Sequence, residues 1–219
     1  QNMSLPSLAR NSSRGFLRSI NEFQLARKYS ERFDLRAAAL SVPVGTLSGG
    51  NQQKVVIGKW LATQPKVIIL DEPTKGIDIG SKAAVHGFIS ELAAQGLSII
   101  MISSELPEIL GMSDRVMVMY GGAVVESAPT EALFQHRRHP YTQGLFAARP
   151  QLGLKRGTRL TTIPGQVPEL SNWPTACAFA DRCAHALDAC REEPPTLLQV
   201  KATDHWVRCP LWQQIEMQP

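Results

Sequence analysis

Leu47-Ser48-Gly49-Gly50-Asn51-Gln52-Gln53 and, thirteen residues further on, Val67-Ile68-Ile69-Leu70-Asp71-Glu72-Pro73 decide how this chain is read. Ser48 stands where the N-cap of a helix is expected, ahead of apolar positions at Val55, Val56, Ile57, Trp60 and Leu61. A hydroxyl, bare backbone N–H groups and the positive end of a helix together suit an anion such as a γ-phosphate, so Ser48, Gly49 and Gly50 form a candidate cradle. An ordinary N-cap after a glycine turn is the plain alternative. Val67 to Leu70 is a continuous apolar run of the kind buried on both faces of a parallel sheet. It ends on two adjacent carboxylates. A nucleotide-hydrolysing site needs one carboxylate at a strand end to hold Mg²⁺ through its water shell and a second to orient the attacking water, and Asp71 and Glu72 stand in those two places. A carboxylate pair capping the next helix is the competing reading; the Ile-Ile-Leu before the pair and Pro73-Thr74 after it favour the first.

Working outward, residues 12 to 36 carry Phe16, Leu17, Ile20, Phe23, Leu25 and Ala26 among many charges, which predicts an amphipathic helix. Ser81 to Gln95 reads as a helix closed by Gly96, and Leu97 to Ile102 as a second buried strand. Leu106 to Leu110 is a short helix and Val116 to Tyr120 a third strand. Gly121-Gly122 makes a tight hairpin turn from which Ala123 to Glu126 returns. Alternation of strand and helix at this spacing predicts an α/β fold with a parallel sheet. Pro129 to Ala148 looks helical. Beyond about residue 150 prolines multiply and regular apolar runs thin out, so the tail is expected to be a separate module without a large core. The expected division is 1–128 and 129–219.

Hydrophobic residues make up 43% and charged residues 19% of 219, the composition of an ordinary globular chain. The formal charge of +4 comes from scattered Lys and Arg rather than a basic stripe interleaved with aromatics, so no nucleic-acid partner is expected. No apolar run approaches the roughly 20 residues of a membrane-spanning helix, and Gln1-Asn2-Met3-Ser4-Leu5-Pro6 has no basic segment leading into an apolar one, so no secretory signal is expected. Cys177, Cys183, Cys190 and Cys209 all fall in the last fifth of the chain. His185 and His205 lie near them and read as surface residues. His139-Pro140-Tyr141 reads as a packing and turn element, and Trp173 and Trp206 as core of the small module.

Residues 1–122 resemble the C-terminal half of an ABC-transporter ATPase domain. Leu47 to Gln53 matches the ABC signature, Val67 to Glu72 matches Walker B, and Lys75-Gly76-Ile77-Asp78 fills the D-loop position. Asn51-Gln52-Gln53-Lys54 and Thr74-Lys75-Gly76-Ile77-Asp78-Ile79-Gly80 resemble the second cassette of ribose-type monosaccharide importers. The resemblance implies ATP and Mg²⁺ shared with a partner cassette. It places Ser48, Gly49, Gly50, Asn51, Gln52 and Asp78 at the nucleotide, Asp71 at the metal, and Glu72 and Ser104 in catalysis. Ser104 stands where the family has its switch histidine; a serine cannot switch charge, so slower hydrolysis is expected. Glycine, four residues, then Gly-Lys-Ser/Thr occurs nowhere; Gly58-Lys59 comes nearest, with Gln53 in place of the first glycine and Trp60 in place of the hydroxyl residue. The expected fold is therefore a partial P-loop NTPase sheet lacking its Walker A portion, followed by a small metal-binding module. A half-cassette of this kind completes a partner's site while holding none itself, and its exposed sheet edge predicts dimerisation or poor solubility. The resemblance further implies a second ATPase subunit, transmembrane permease subunits and a cytoplasmic position on the inner membrane face.

A second resemblance covers residues 123–219. Arg138-His139-Pro140-Tyr141-Thr142, Pro164-Gly165-Gln166-Val167-Pro168 and the spaced cysteines resemble the C-terminal extension of oligopeptide and dipeptide importer ATPases. Four thiolates in a small proline-rich cytosolic module point to a metal centre, since disulfides would be reduced there. In some peptide importers this cysteine set is associated with a [4Fe-4S] cluster, for which four thiolates are the required ligands. A four-cysteine zinc site is the rival, although the gaps of five, six and eighteen residues exceed its usual spacing; free thiols are the plain alternative. The front suggests a sugar and the tail a peptide. The expectation leans to a peptide-type importer subunit, with a sugar-type subunit, or a non-hydrolysing metal-binding regulatory remnant, as alternatives.

Overall fold

The computed structural model describes residues 2–13, 16–149 and 160–215, and the chain divides into two compact units, Gln1–Ser104 and Glu105–Pro219.

In the first unit a short helix, α1 (Leu8–Asn11), leads into an antiparallel pair of two-residue strands, β1 (Ser12–Ser13) and β2 (Phe16–Leu17). The amphipathic helix expected over residues 12 to 36 is confined to α2 (Ser19–Arg32). Arg18 is extended, with φ −93° and ψ 102°, and its N–H bonds to Asn11 O, which ties the segment before α2 into the β pair. The helix stops at Phe33, followed by Asp34 at φ +45°. Tyr29 and Phe33 are buried, and the Tyr29 hydroxyl donates to Leu61 O at 2.9 Å, fastening α2 to the end of α3 (Gly49–Leu61). Phe33 packs edge-on against Phe88 of α4 (Ile79–Ala94), whose inward face is Val85, Phe88, Ile89 and Leu92. Gly96, at φ +89°, follows the end of α4, where Leu97 N–H closes back on Leu92 O.

Strand β3 (Val67–Asp71) runs parallel to β4 (Ser98–Ile102), with Val67 opposite Ser98 and Asp71 opposite Ile102. Burial on both faces was the expectation for β3. Instead burial alternates: Ile68 and Leu70 are covered, while Val67 is 51% and Ile69 63% exposed, alongside exposed Ile100 and Ile102. Among the described residues these two strands form a two-stranded sheet with one covered face, so the apolar run reports only half of its side chains as core.

The expected third parallel strand belongs to a different sheet. In the second unit, after α5 (Leu106–Met112), β5 (Arg115–Tyr120) pairs antiparallel with β6 (Ala123–Pro129). The order is β5-β6-β8-β7, where β7 (Leu198–Gln199) and β8 (Trp206–Val207) come from the tail. Gly121 and Gly122, at φ +57° and +78°, give the doubly left-handed turn that a two-residue hairpin requires. A side chain at Gly121 would also meet the Trp173 ring at 2.1 Å. The helical stretch expected between Pro129 and Ala148 is broken into α6 (Thr130–Gln135) and α7 (Pro140–Ala147), because Pro140 starts a new helix.

One cluster of this unit is built on Val116, Val118, Tyr120, Val125, Leu133, Phe146 and Phe179. A second gathers Val200, Val207, Cys209, Trp212 and Ile215. Trp212 is therefore the buried tryptophan; Trp173 and Trp206, expected as core, are half-buried, Trp173 lying over the hairpin glycine. No described helix is long and apolar enough to cross a membrane.

Candidate functional site

The parallel pair β3 and β4 delivers its strand ends side by side, and the carboxylates follow directly. Asp71 is the exposed last residue of β3. Glu72 leaves the strand at φ +48°, a left-handed conformation uncommon for a side chain larger than glycine. Its N–H donates to Ile102 O at 2.8 Å, and its Oε1 accepts the Ser104 N–H at 2.9 Å. The structure thus brings Glu72 and Ser104 together through the Ser104 backbone. The bond fixes the carboxylate's orientation, and a backbone donor does this whatever the side chain at 104.

At the signature, Ser48 occupies the N-cap position of α3 but makes no capping bond. The expected N-cap position is therefore met, while the Ser48 hydroxyl oxygen accepts from Asn51 Nδ2 at 3.0 Å rather than from a helix N–H. The Asn51 amide also meets the Arg36 backbone, accepting its N–H at 3.3 Å, while Gln52 Nε2 donates to Leu47 O at 2.8 Å. Both amides therefore brace the loop around the helix start. Asp78 caps α4: Oδ1 accepts Ser81 N–H at 2.9 Å and Oδ2 the Ser81 hydroxyl at 2.7 Å. Those bonds hold its carboxyl below the ordinary value.

The two glycines have a steric reason to be there. A Cβ at Gly50 would stand 2.7 Å from Ser81 Cβ, and one at Gly49 would stand 3.0 Å from Ile77 Cγ2. The start of α3 thus lies directly against the loop that opens α4. Gly58, the nearest thing to a P-loop glycine, is likewise a packing position, where a Cβ would meet Phe33 at 2.6 Å and Met3 at 3.0 Å.

In the second unit Cys177, Cys183, Cys190 and Cys209 all line one small cavity, together with His139 and Phe179. Cys177 N–H donates to Cys190 O at 3.1 Å, and Ala180 N–H to Cys177 O at 3.0 Å. Burial pushes the thiols of Cys177 and Cys183 up, and that of Cys209 up to about 11. Among the described residues no group of three or more His, Cys, Asp or Glu stands close enough to hold a metal ion, so neither the expected cluster nor the expected zinc finds a preformed set of ligands here. A single zinc would draw all four sulfurs to about 2.3 Å from one point, whereas an iron–sulfur cluster spreads its four thiolates over separate irons.

His205 is not a surface residue. It is 4% exposed, and its Nε2 lies 2.7 Å from Oε1 of Glu126, which is fully buried. The same carboxylate accepts the Arg138 and His139 N–H groups at 2.6 and 3.0 Å. His139 in turn accepts the Tyr141 N–H on Nδ1 at 3.1 Å and caps α7. Burial lowers its pKa from 6.5 to about 4, against the opposing pull of Glu126 and the Arg208 backbone. Sequence reasoning missed Glu126; the signal was a lone acid in the strand Val124-Val125-Glu126-Ser127-Ala128. His185 is exposed.

Residues 5–75 match the ABC transporter family, and residues 125–190 match the family described as oligopeptide/dipeptide transporter, C-terminal region. A ribose import ATP-binding protein of Rhizobium etli is 85% identical over 125 residues, 57% of this chain and 24% of that protein. One from Agrobacterium fabrum is 86% identical over 122 residues, 56% of this chain and 24% of that protein. A Brucella ovis protein named for peptide import and ATP binding is 39% identical over 175 residues, 77% of this chain and 52% of that protein. The chain spans about a quarter of the length of the ribose-import relatives and about half that of the peptide-import one. A solved ATP-binding cassette of an ABC transporter superposes with a TM-score of 0.56 at 25% identity, over 66% of this chain and 60% of its own. A nucleotide-free cassette gives 0.57 at 24% identity, over 66% and 60%. These likenesses show an α/β fold of the ABC ATPase kind. The chain is thus similar to ABC-transporter ATP-binding proteins, with residues 5–75 matching the ABC transporter family and residues 125–190 the oligopeptide/dipeptide transporter C-terminal region.

Proposed function

We propose that this chain is the signature-bearing part of an ATP-binding subunit of an ABC importer, acting on nucleotide whose phosphates are cradled by the P-loop of a second ATPase subunit. The observation that carries this reading is the bond from Ser104 N–H to Glu72, which fixes a carboxylate beside Asp71 at the end of a parallel strand. Glu72 would orient and deprotonate the attacking water. Ser48, Gly49 and Gly50 would present the α3 N-terminus to the γ-phosphate of the opposite subunit, with Asn51 and Gln52 holding that loop in shape and Asp78 holding the start of α4 against it. Mg²⁺, when bound, would neutralise phosphate charge; Asp71 is the carboxylate placed to hold its water shell. The 85% identity over 125 residues to a ribose-import protein moves the weight from peptide towards sugar uptake, with permease subunits as further partners and the cytoplasmic membrane face as the place of work. Calorimetry of the chain alone with Mg-ATP tests the division of labour. Binding weaker than millimolar is expected, and micromolar binding abolished by Asp71→Asn would contradict it.

A second reading of the tail is a [4Fe-4S] centre held by Cys177, Cys183, Cys190 and Cys209; the four cysteines lining one cavity speak for it, and the lack of a preformed ligand group among the described residues means that they would have to draw together on loading. Such a group would supply one-electron chemistry or a structural staple. Anaerobic purification followed by iron and sulfide analysis is expected to give four of each per chain. Four free thiols without iron would contradict it.

A further inference from the structure

The phosphate cradle at the start of α3 has a carboxylate for a neighbour. The first intrahelical bond of α3 runs from Gln52 N–H to Ser48 O at 2.9 Å, which leaves the N–H groups of Gly49, Gly50 and Asn51 without a partner inside the helix. Ser48, Gly49 and Asp78 are exposed, while Gly50 is buried. A Cβ at Gly50 would stand 2.7 Å from Ser81 Oγ, and that hydroxyl donates to Asp78 Oδ2 at 2.7 Å. Asp78 Oδ2 therefore lies no further than two such steps from the place where Gly50 would carry a side chain. An acid this close to the positive end of a helix is a rival for any phosphate that approaches it.

Ser81 holds both parts of this arrangement. Its N–H donates to Asp78 Oδ1 at 2.9 Å and its hydroxyl to Oδ2, so both carboxylate oxygens are engaged at the start of α4. The three atoms nearest the missing Cβ of Gly50 also belong to Ser81, whereas the nearest to that of Gly49 is Ile77 Cγ2 at 3.0 Å. One side chain thus backs a glycine of the cradle and grips the acid beside it.

We propose that Ser81 is a positioning residue of the signature: its hydroxyl pins the Asp78 carboxylate on α4 and so keeps it off the phosphate place at Gly49 and Gly50. This rests on the assignment of Ser48, Gly49 and Gly50 as a phosphate cradle. Ser81→Ala keeps the Cβ behind Gly50 and the N–H to Oδ1 but removes the donor to Oδ2. The freed carboxylate then turns towards the N–H groups at the start of α3 and competes with phosphate there.

Two measurements on the whole chain decide the matter. In the free, ¹⁵N-labelled chain at neutral pH, Ser81→Ala should move the Gly49 and Gly50 amide protons downfield, and adding Asp78→Asn should return them towards the parent positions. A circular-dichroism melt shows whether each variant is folded. Amides that stay in place in a folded Ser81→Ala chain, or a shift that Asp78→Asn leaves untouched, would overturn the proposal whatever the chain's function. In an assembly with an intact ribose-import-type ATPase subunit and its permease, Ser81→Ala should raise the ATP concentration for half-maximal hydrolysis about two- to five-fold, with the maximal rate kept and Asp78→Asn restoring the parent value. Hydrolysis that responds to Ser48→Arg but shows an unchanged half-saturation in Ser81→Ala would overturn the role of Ser81 and leave the cradle standing. Hydrolysis indifferent to Ser48→Arg would overturn the cradle, and the phosphate competition with it.

Discussion

Replacing Glu126 with Gln changes one buried oxygen to an amide nitrogen and little else in shape. Oε1 serves the Arg138 N–H and His205 Nε2, while Oε2 serves the His139 N–H. A glutamine has one acceptor oxygen. If it takes the Oε1 place, its NH₂ faces the His139 N–H; if it takes the Oε2 place, its NH₂ faces the Arg138 N–H. Either way one backbone donor is left unpaired at about 1–3 kcal/mol, and the surviving bonds lose about 1 kcal/mol each of charge assistance. Relief from burying a carboxylate returns part of this, so the net loss is about 2–4 kcal/mol, a large share of a typical total of about 5–15 kcal/mol. Urea unfolding followed by tryptophan fluorescence in a Trp60→Phe background confines the signal to Trp173, Trp206 and Trp212, all in the second unit. A midpoint unchanged within about 0.5 kcal/mol would refute the reasoning that this carboxylate ties the tail strand to the hairpin.

His139 makes stability depend on pH. Its folded-state pKa, about 4, lies below the ordinary 6.5, so the unfolded chain binds the extra proton first and the contribution is fully present above pH 6.5. As pH falls towards 4, up to about 3 kcal/mol is lost in the metal-free chain; His139→Asn, which keeps an acceptor at the N-cap, should flatten that slope in unfolding titrations between pH 7 and 4. Gly50→Ala should destabilise by about 1–3 kcal/mol through overpacking against Ser81, offset by up to about 1 kcal/mol of helix preference. Because Ser81→Gly forfeits its own hydroxyl bond to Asp78, the contact is read from a double-mutant cycle, in which Gly50→Ala should cost less in the Ser81→Gly background than alone; a single Gly50→Ala variant that melts higher than the parent would contradict the contact. In an assembled transporter Ser104→Ala should hydrolyse ATP as the parent does, whereas Ser104→Pro, lacking the N–H that holds Glu72, should lose about ten- to a hundred-fold; equal rates would show that the bond does not matter.

The signature, the carboxylate pair and the hairpin were legible because each rests on local chemistry: a glycine turn opening a helix, acids ending an apolar strand, two positive-φ glycines between strands. The sheet to which Val116 to Tyr120 belongs was not, because its hairpin partner Ala123–Pro129 pairs antiparallel with Trp206-Val207, a contact across about eighty residues that periodicity cannot show. The burial of Glu126 and His205 was hidden for the same reason, since each residue read alone is a polar surface type. The glycines at 49, 50 and 58 were legible as glycines, but their packing partners, Ile77, Ser81 and Phe33, came only with the fold. Four cysteines in the tail announced a common site, and the structure places them around one cavity.

In the function proposed above, this chain completes a nucleotide site held by another subunit. The most direct test mixes the purified chain with an intact ABC ATPase subunit of the ribose-import kind and its permease, and measures phosphate release as a function of added chain. Saturable stimulation is expected, abolished by Ser48→Arg at the signature. A complex that assembles yet hydrolyses ATP no faster with the chain than without it, or stimulation untouched by Ser48→Arg, would contradict it.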